Sequence, residues 1–254
     1  MLALERRKEI LKKLQEEKKV IVGELSRQYD VSEETIRRDL EKLEKEGLAV
    51  KSYGGAVLND STSIELPFNE RKKHNVEGKQ KIAKLVADLV ENGEHIMLDA
   101  SSTAVFIAKA MKKKEQLTVL TNSIEVLLEL ADTEGWEVIS TGGVLKDRYL
   151  ALVGAKATEA VQQYHVEKTI ISCRALDGDK GFSESNVEFA QMKQAMMKAG
   201  RQVILAADSS KLYRFAFAKV GDLKDIDILV TDEKPDARMQ RLLDAAQVTC
   251  LYPE

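Results

Sequence analysis

The chain has 254 residues, enough for one or two domains with a sizeable core. Its net charge is −3, and residues 1–58 carry 13 Lys/Arg against 12 Asp/Glu, so no segment is basic enough to announce nucleic acid by charge alone, and a DNA footprint would have to come from where charge is placed. Two distant cysteines, Cys173 and Cys250, and three scattered histidines exclude a disulfide framework and a Cys/His metal set, and no apolar run approaches the ~20 residues of a membrane span.

In chain order, residues 5–14 place Ile10, Leu11 and Leu14 at helical spacing, and residues 20–29 read as a second short helix with Leu25 and Tyr29 on its apolar face. Asp30 lies in a tight turn. Ser32 then suits a helix N-cap, because its hydroxyl can accept from free first-turn amides, and Glu33 and Glu34 sit where the helix dipole favours negative charge. Ile36, Leu40 and Leu43 form one buried stripe of this third helix, which Gly47 ends. Thr35, Arg37 and Arg38 lie off the stripe. Taken alone, this is equally an ordinary amphipathic surface helix. In a helix-turn-helix it becomes a reader of the major groove: Arg can hold guanine or phosphate, and Thr can touch a base edge or a thymine methyl. Residues 48–57 read as two short strands around a turn, a wing that carries Lys51 and Tyr53. The expected DNA-contacting set is Ser32, Thr35, Arg37, Arg38, Lys51 and Tyr53.

Glu5-Arg6-Arg7, Val31-Ser32, Thr35-Ile36-Arg37-Arg38-Asp39-Leu40 and Gly54-Gly55-Ala56 together resemble the DNA-binding domain of the DeoR family of bacterial repressors.

A polar stretch from Leu58 to Ser63 reads as linker, and the winged helix-turn-helix is expected over residues 1–58 with linker over 59–75. From residue 76 to 254 helical and strand-like segments alternate. Ile82, Leu85, Val86, Leu89 and Val90 mark an amphipathic helix that ends at Asn92-Gly93. Strands are expected at 95–98, 117–120, 136–140, 168–172, 202–206, 226–231 and 248–251, and helices at 103–111, 124–130, 155–163, 186–199 and 236–246. This order implies an α/β domain with a mainly parallel sheet covered by helices on both faces.

Ligands of such sheets bind beyond the carboxyl ends of the strands. Polar residues cluster there: Asp99-Ala100-Ser101-Ser102-Thr103 opens a helix, Thr121-Asn122-Ser123 and Thr141-Gly142-Gly143 follow the next two strands, and Asp208-Ser209-Ser210-Lys211 adds a cation. Helix-end amides with hydroxyls make an anion site suited to phosphate. A single hydroxyl-rich turn is more often only a helix cap; four strand ends, one bearing Lys, shift the balance toward a site.

The DeoR resemblance extends through Leu98-Asp99-Ala100-Ser101-Ser102-Thr103, Leu120-Thr121-Asn122-Ser123, Gly142-Gly143, Leu152-Val153-Gly154 and Ala207-Asp208-Ser209-Ser210-Lys211. It implies an effector domain similar in fold to ribose-5-phosphate isomerase that binds a phosphorylated sugar. It assigns phosphate to Ser101, Ser102, Thr103 and Lys211, and sugar hydroxyls to Asp99, Asn122 and the Glu184-Ser185-Asn186 segment. Arg174, in Ser172-Cys173-Arg174-Ala175-Leu176-Asp177, stands where many family members carry a Gly-rich loop; it either contacts the ligand or closes the pocket, with a surface salt bridge the plain alternative.

The expected protein is therefore a cytoplasmic, non-enzymatic repressor of a sugar operon with no cofactor. Its partners would be operator DNA, a phosphorylated sugar and further copies of itself as a dimer or tetramer, with no membrane. The competing reading is a sugar-phosphate isomerase with an N-terminal DNA-binding appendage. An isomerase needs a base and polarising acids; Asp177 and Glu188 offer only part of such a set.

Overall fold

A computed structural model describes residues 2–45, 48–58 and 66–253. Gly47 and residues 59–63, expected to end the third helix and to form the linker, lie outside the described residues. The chain divides into two compact units, Met1–Pro67 and Phe68–Glu254.

The first unit contains α1 (Ala3–Glu17), β1 (Lys19–Ile21), α2 (Val22–Tyr29), α3 (Glu33–Lys45), β2 (Ala49–Ser52) and β3 (Gly55–Leu58). Ile10, Leu14, Leu25, Ile36, Leu40 and Leu43 are buried together, so the stripes read from the sequence do face one core. Asp30 ends α2 in the left-handed conformation with its amide on the Ser26 carbonyl. The Ser32 hydroxyl accepts from the Thr35 amide at 3.2 Å, the expected N-cap of α3. One expectation fails. Val20 and Ile21, expected at the start of the second helix, lie in β1, which pairs antiparallel with β3. Their β-branched side chains suit a strand, and helical periodicity cannot register a strand of three residues. Gly55 permits this pairing, since a Cβ there would fall 2.0 Å from the Val20 carbonyl oxygen.

The second unit opens with α4 (Phe68–Lys73) and α5 (Val76–Leu89), then runs β4 (His95–Leu98), α6 (Ser102–Met111), β5 (Thr118–Thr121), α7 (Ile124–Leu130), β6 (Glu137–Ser140), β7 (Val144–Lys146), β8 (Ala151–Val153), α8 (Ala155–Val161) and β9 (Val166–Ile171). It continues with β10 (Ala175–Asp177), β11 (Gly181–Glu184), α9 (Val187–Ala199), β12 (Gly200–Ala206), β13 (Ala218–Gly221), β14 (Ile228–Val230), α10 (Ala237–Ala245) and β15 (Thr249–Leu251). The unit thus begins earlier than residue 76. Phe68 is buried in the core under α5 and α6, so α4 belongs to the fold rather than to a linker.

Seven parallel strands form one sheet in the order β15-β14-β12-β9-β4-β5-β6. Alternate residues of each strand enter opposite cores. Ile96, Leu98, Val119 and Ile204 pack on the α5–α6 side, and Met97, Leu120, Ile171 and Leu205 on the α9 side. The chain leaves β4 toward β5 and β6, then returns to place β9, β12, β14 and β15 on the other flank. The topological switch point therefore lies between β4 and β9. Two small antiparallel pieces, β7–β8 and β10–β11–β13, were not expected from the sequence; their short strands lack a periodic signature.

Candidate functional site

In the first unit α3 presents its N-terminal turn outward. Arg37 and Arg38 are exposed, and Thr35 is half-buried with its hydroxyl 2.9 Å from that of Ser32. The wing turn presents a fully exposed Tyr53 beside Gly54, whose φ is +78°. Lys51, on β2, pairs with Glu41 of α3 at 2.7 Å. This set is what a major-groove reader requires: donors on one helix end and an aromatic and a cation on a protruding hairpin.

What aims α3 is a pair that sequence reasoning did not single out. The Arg6 Nε donates to Asp39 Oδ2 at 2.6 Å, and both side chains are buried. Arg6 shares the i, i+4 face of Ile10 and Leu14, and Asp39 flanks the Ile36–Leu40 stripe. Charges set into two apolar faces are the signal that could have revealed them. Each neutralises the other, and together they tie α1 to the back of α3.

In the second unit the residues at the switch point form one buried network. Asp99, just past β4, accepts from the Ser101 amide at 3.1 Å and from the Ser172 amide past β9 at 2.9 Å. Lys193 of α9 reaches the same carboxylate at 2.9 Å, donates to the Ser172 carbonyl at 2.6 Å and pairs with Glu184 of β11. Burial alone would push the Lys193 ammonium down. Asp99 and Glu184 more than offset this and hold its pKa above the ordinary lysine value. Lys193 is the central residue that the sequence did not disclose, because it looks like one more charge on an amphipathic helix.

Several expected site residues hold the scaffold. The Ser101 hydroxyl accepts from the Ala104 amide, that of Ser123 from Val126, and the Asn186 amide oxygen from Phe189, so each caps a helix. The Thr121 hydroxyl donates to the Leu98 carbonyl at 2.7 Å. The Asp99 carboxylate is taken up by the donors of Ser101, Ser172 and Lys193. Two features leave hydrogen-bonding capacity open. The first-turn amides of Ser102 and Thr103 have no intrahelical acceptor. Asn122 donates to the Leu152 carbonyl at 3.0 Å, but its buried Oδ1 has no hydrogen-bond partner. Asn122 follows Thr121, which pairs with Leu98 across β4–β5, so that oxygen stands one strand from the α6 N-terminus.

The remaining candidates spread along the sheet edge. Gly142 and Gly143 follow β6, two strands from β4; a Cβ on Gly143 would meet the Val153 carbonyl oxygen at 2.7 Å. Lys211 lies in a single 3-10 turn after β12, two strands the other way. Burial raises the pKa of the neighbouring Asp208, but Lys211, Ser210, Lys79 and Asn75 outweigh it and hold it below the usual carboxylate value. Arg174 is half-buried, its amide on the Ser183 carbonyl at 3.0 Å. Burial pushes the Cys173 thiol up to about 12, which keeps it from acting as a nucleophile. Glu188, the candidate base of the isomerase reading, is half-exposed and paired with Lys146 at 2.7 Å.

A winged helix with donors on its reading helix, in one chain with a doubly wound α/β unit whose polar groups gather at the switch point, defines a DNA-binding regulator with a sensor domain. The DeoR-like helix-turn-helix domain family matches residues 6–62, and the DeoR C-terminal sensor domain family matches residues 74–233. A HTH-type transcriptional regulator of Bacillus subtilis, YulB, is 41% identical over 98% of this chain and 96% of its own length. A putative aga operon transcriptional repressor of Escherichia coli O157:H7 is 35% identical over 90% of this chain and 86% of its own. The glycerol-3-phosphate regulon repressor of Escherichia coli K12 is 30% identical over 88% of each chain. The chain belongs to the DeoR family and is a DNA-binding transcriptional regulator, not an enzyme. Among solved structures, ribose 5-phosphate isomerase A of Methanocaldococcus jannaschii aligns with a TM-score of 0.41 and 15% identity over 54% of this chain and 55% of its own, a distance from which no activity is carried over.

Proposed function

We propose that this regulator represses a sugar-utilisation operon and that a phosphorylated sugar, bound at the β4–β9 switch point, modulates its grip on operator DNA. The observation that carries the reading is the buried, unpartnered Asn122 Oδ1 at the end of β5, the strand next to β4, which leads into the N-terminus of α6. An orphaned buried acceptor costs about 1–3 kcal/mol, and a sugar hydroxyl donating to it would remove that cost. The amides of Ser102 and Thr103 suit the phosphate, with Lys211 offsetting its charge. Glu184 and Arg174 border the sugar end. A relative named for the glycerol-3-phosphate regulon supports a phosphorylated compound as the signal. The protein would work as a dimer or tetramer in the cytoplasm, because one winged helix covers too little DNA for tight specific binding. No cofactor is required. Among the described residues no helix is long and apolar enough to cross a membrane.

The test is a thermal-shift screen of phosphorylated sugars beside their free counterparts, since a ligand of the folded state raises the melting point. A hit is then titrated against DNA selected from a random pool, with wild type and Lys211→Ala. We expect Lys211→Ala to bind DNA as wild type and to need roughly tenfold to a hundredfold more effector, the equivalent of one charge-assisted hydrogen bond. Equal responses to phosphorylated and free sugar would overturn the phosphate site.

A further inference from the structure

Each of the three cations singled out for DNA already has a carboxylate beside it. Arg37 Nη2 lies 2.6 Å from Glu33 Oε2, Arg38 Nε lies 3.3 Å from Glu34 Oε1, and Lys51 Nζ lies 2.7 Å from Glu41 Oε1. Glu44 stands 3.9 Å from the same lysine. All of these side chains are exposed, on the face where phosphate would arrive. Two of the pairings have a local basis. Glu33 and Glu34 precede their arginines by one helical turn, the favourable i, i+4 orientation, and sit at the helix end where the dipole supports negative charge. The same balance appears in composition, 13 Lys/Arg against 12 Asp/Glu over residues 1–58.

Such pairs have two possible uses. As helix stabilisers they contribute little, about 0.3–0.5 kcal/mol each when exposed. Their effect on DNA is larger in kind. Non-specific affinity comes almost wholly from cations that displace counterions from phosphate. A carboxylate held against each cation competes with phosphate for its hydrogens and repels the backbone. Only a duplex that offers base-edge acceptors or a fitted groove returns enough to displace it.

We propose that Glu33, Glu34 and Glu41 are specificity determinants of this regulator: they screen Arg37, Arg38 and Lys51 so that arbitrary DNA is bound weakly and only a fitted site draws the cations away. The proposal rests on α3 and the wing being the DNA-facing surface.

The experiment uses the full chain and a mixed-sequence duplex, with binding followed by fluorescence anisotropy over a range of KCl. The variants are Glu33→Gln/Glu34→Gln/Glu41→Gln and, with the same charge change on exposed positions of α1, Glu9→Gln/Glu16→Gln/Glu17→Gln. Removing the screen should tighten binding about tenfold or more near physiological salt and steepen the slope of log K against log salt by about two to three units, one per released cation. The α1 variant should gain clearly less. Adding Arg37→Ala/Arg38→Ala to the first variant should abolish most of its gain. An unchanged affinity and slope, an equal gain in the α1 variant, or a gain that survives loss of both arginines would each overturn the proposal. If Arg37→Ala/Arg38→Ala leaves the binding of the otherwise wild-type chain to a duplex selected from a random pool untouched, the DNA-facing assignment itself falls and the proposal with it.

Discussion

Replacing Lys193 by Met would remove the cation that lies between two buried carboxylates. Lys193 lies 2.9 Å from Asp99 and also pairs with Glu184, and the side chains of all three are 10% exposed or less. Met fills nearly the same volume, so the substitution isolates charge and hydrogen bonding from packing. Deleting one partner of a buried ion pair generally costs about 3–5 kcal/mol, because the remaining charge stays desolvated without compensation. Here two carboxylates are stranded and the Ser172 carbonyl loses a donor, so the upper part of that range applies. In a unit of this size each kcal/mol moves the melting temperature by about 2–4 °C, which places the loss at roughly 8–20 °C. Calorimetry of the full chain should show it in the transition of the sensor unit. Adding Asp99→Asn to Lys193→Met should restore part of the loss, a coupling that a double-mutant cycle reads directly. A loss below about 1 kcal/mol in Lys193→Met, or strict additivity in the cycle, would refute the view that this network clamps β4 to β9.

Arg6→Ala should leave the buried Asp39 carboxylate with only the more distant Arg7, 3.8 Å away, and destabilise the winged helix by up to about 3 kcal/mol, which circular dichroism would register as an early-melting helical component. Arg38→Ala should cost about 1–3 kcal/mol of discrimination between selected and unselected duplexes, whereas Lys51→Ala should weaken both alike once the screening carboxylates are removed by Glu33→Gln/Glu34→Gln/Glu41→Gln. Lys79 is buried with its amine on the Arg71 and His74 carbonyls, and burial lowers its pKa from 10.5 to about 8. Between those values the unfolded chain binds the extra proton, so this lysine makes stability rise as pH climbs from about 8 toward 10.5, by up to about 3 kcal/mol. Denaturant midpoints across that window should show the rise in wild type relative to Lys79→Met; parallel curves would contradict the assignment.

The sequence by itself determined the elements long enough to show a period and the turns with their own chemistry. Ile36, Leu40 and Leu43 specified both the third helix and its buried side, and Ser32 its start, because these are interactions within a few residues. Most strands of the main sheet were readable as apolar runs between helices, and with them the strand ends where Ser101, Asn122 and Lys211 now stand. The short strands outside that sheet and the wing were not: β1, β7–β8 and β10–β11–β13 hold their shape through partners such as Val57 and Val153, which local pattern cannot supply. The same limit applies to the buried ion pairs. Arg6 and Asp39 are 33 positions apart, and Asp99 and Lys193 are 94 apart. A charge on an amphipathic helix carries no mark of whether it faces water or a distant opposite charge. Only the tertiary structure decided that, because the desolvation that makes such a pair matter exists only once the chain has closed around it.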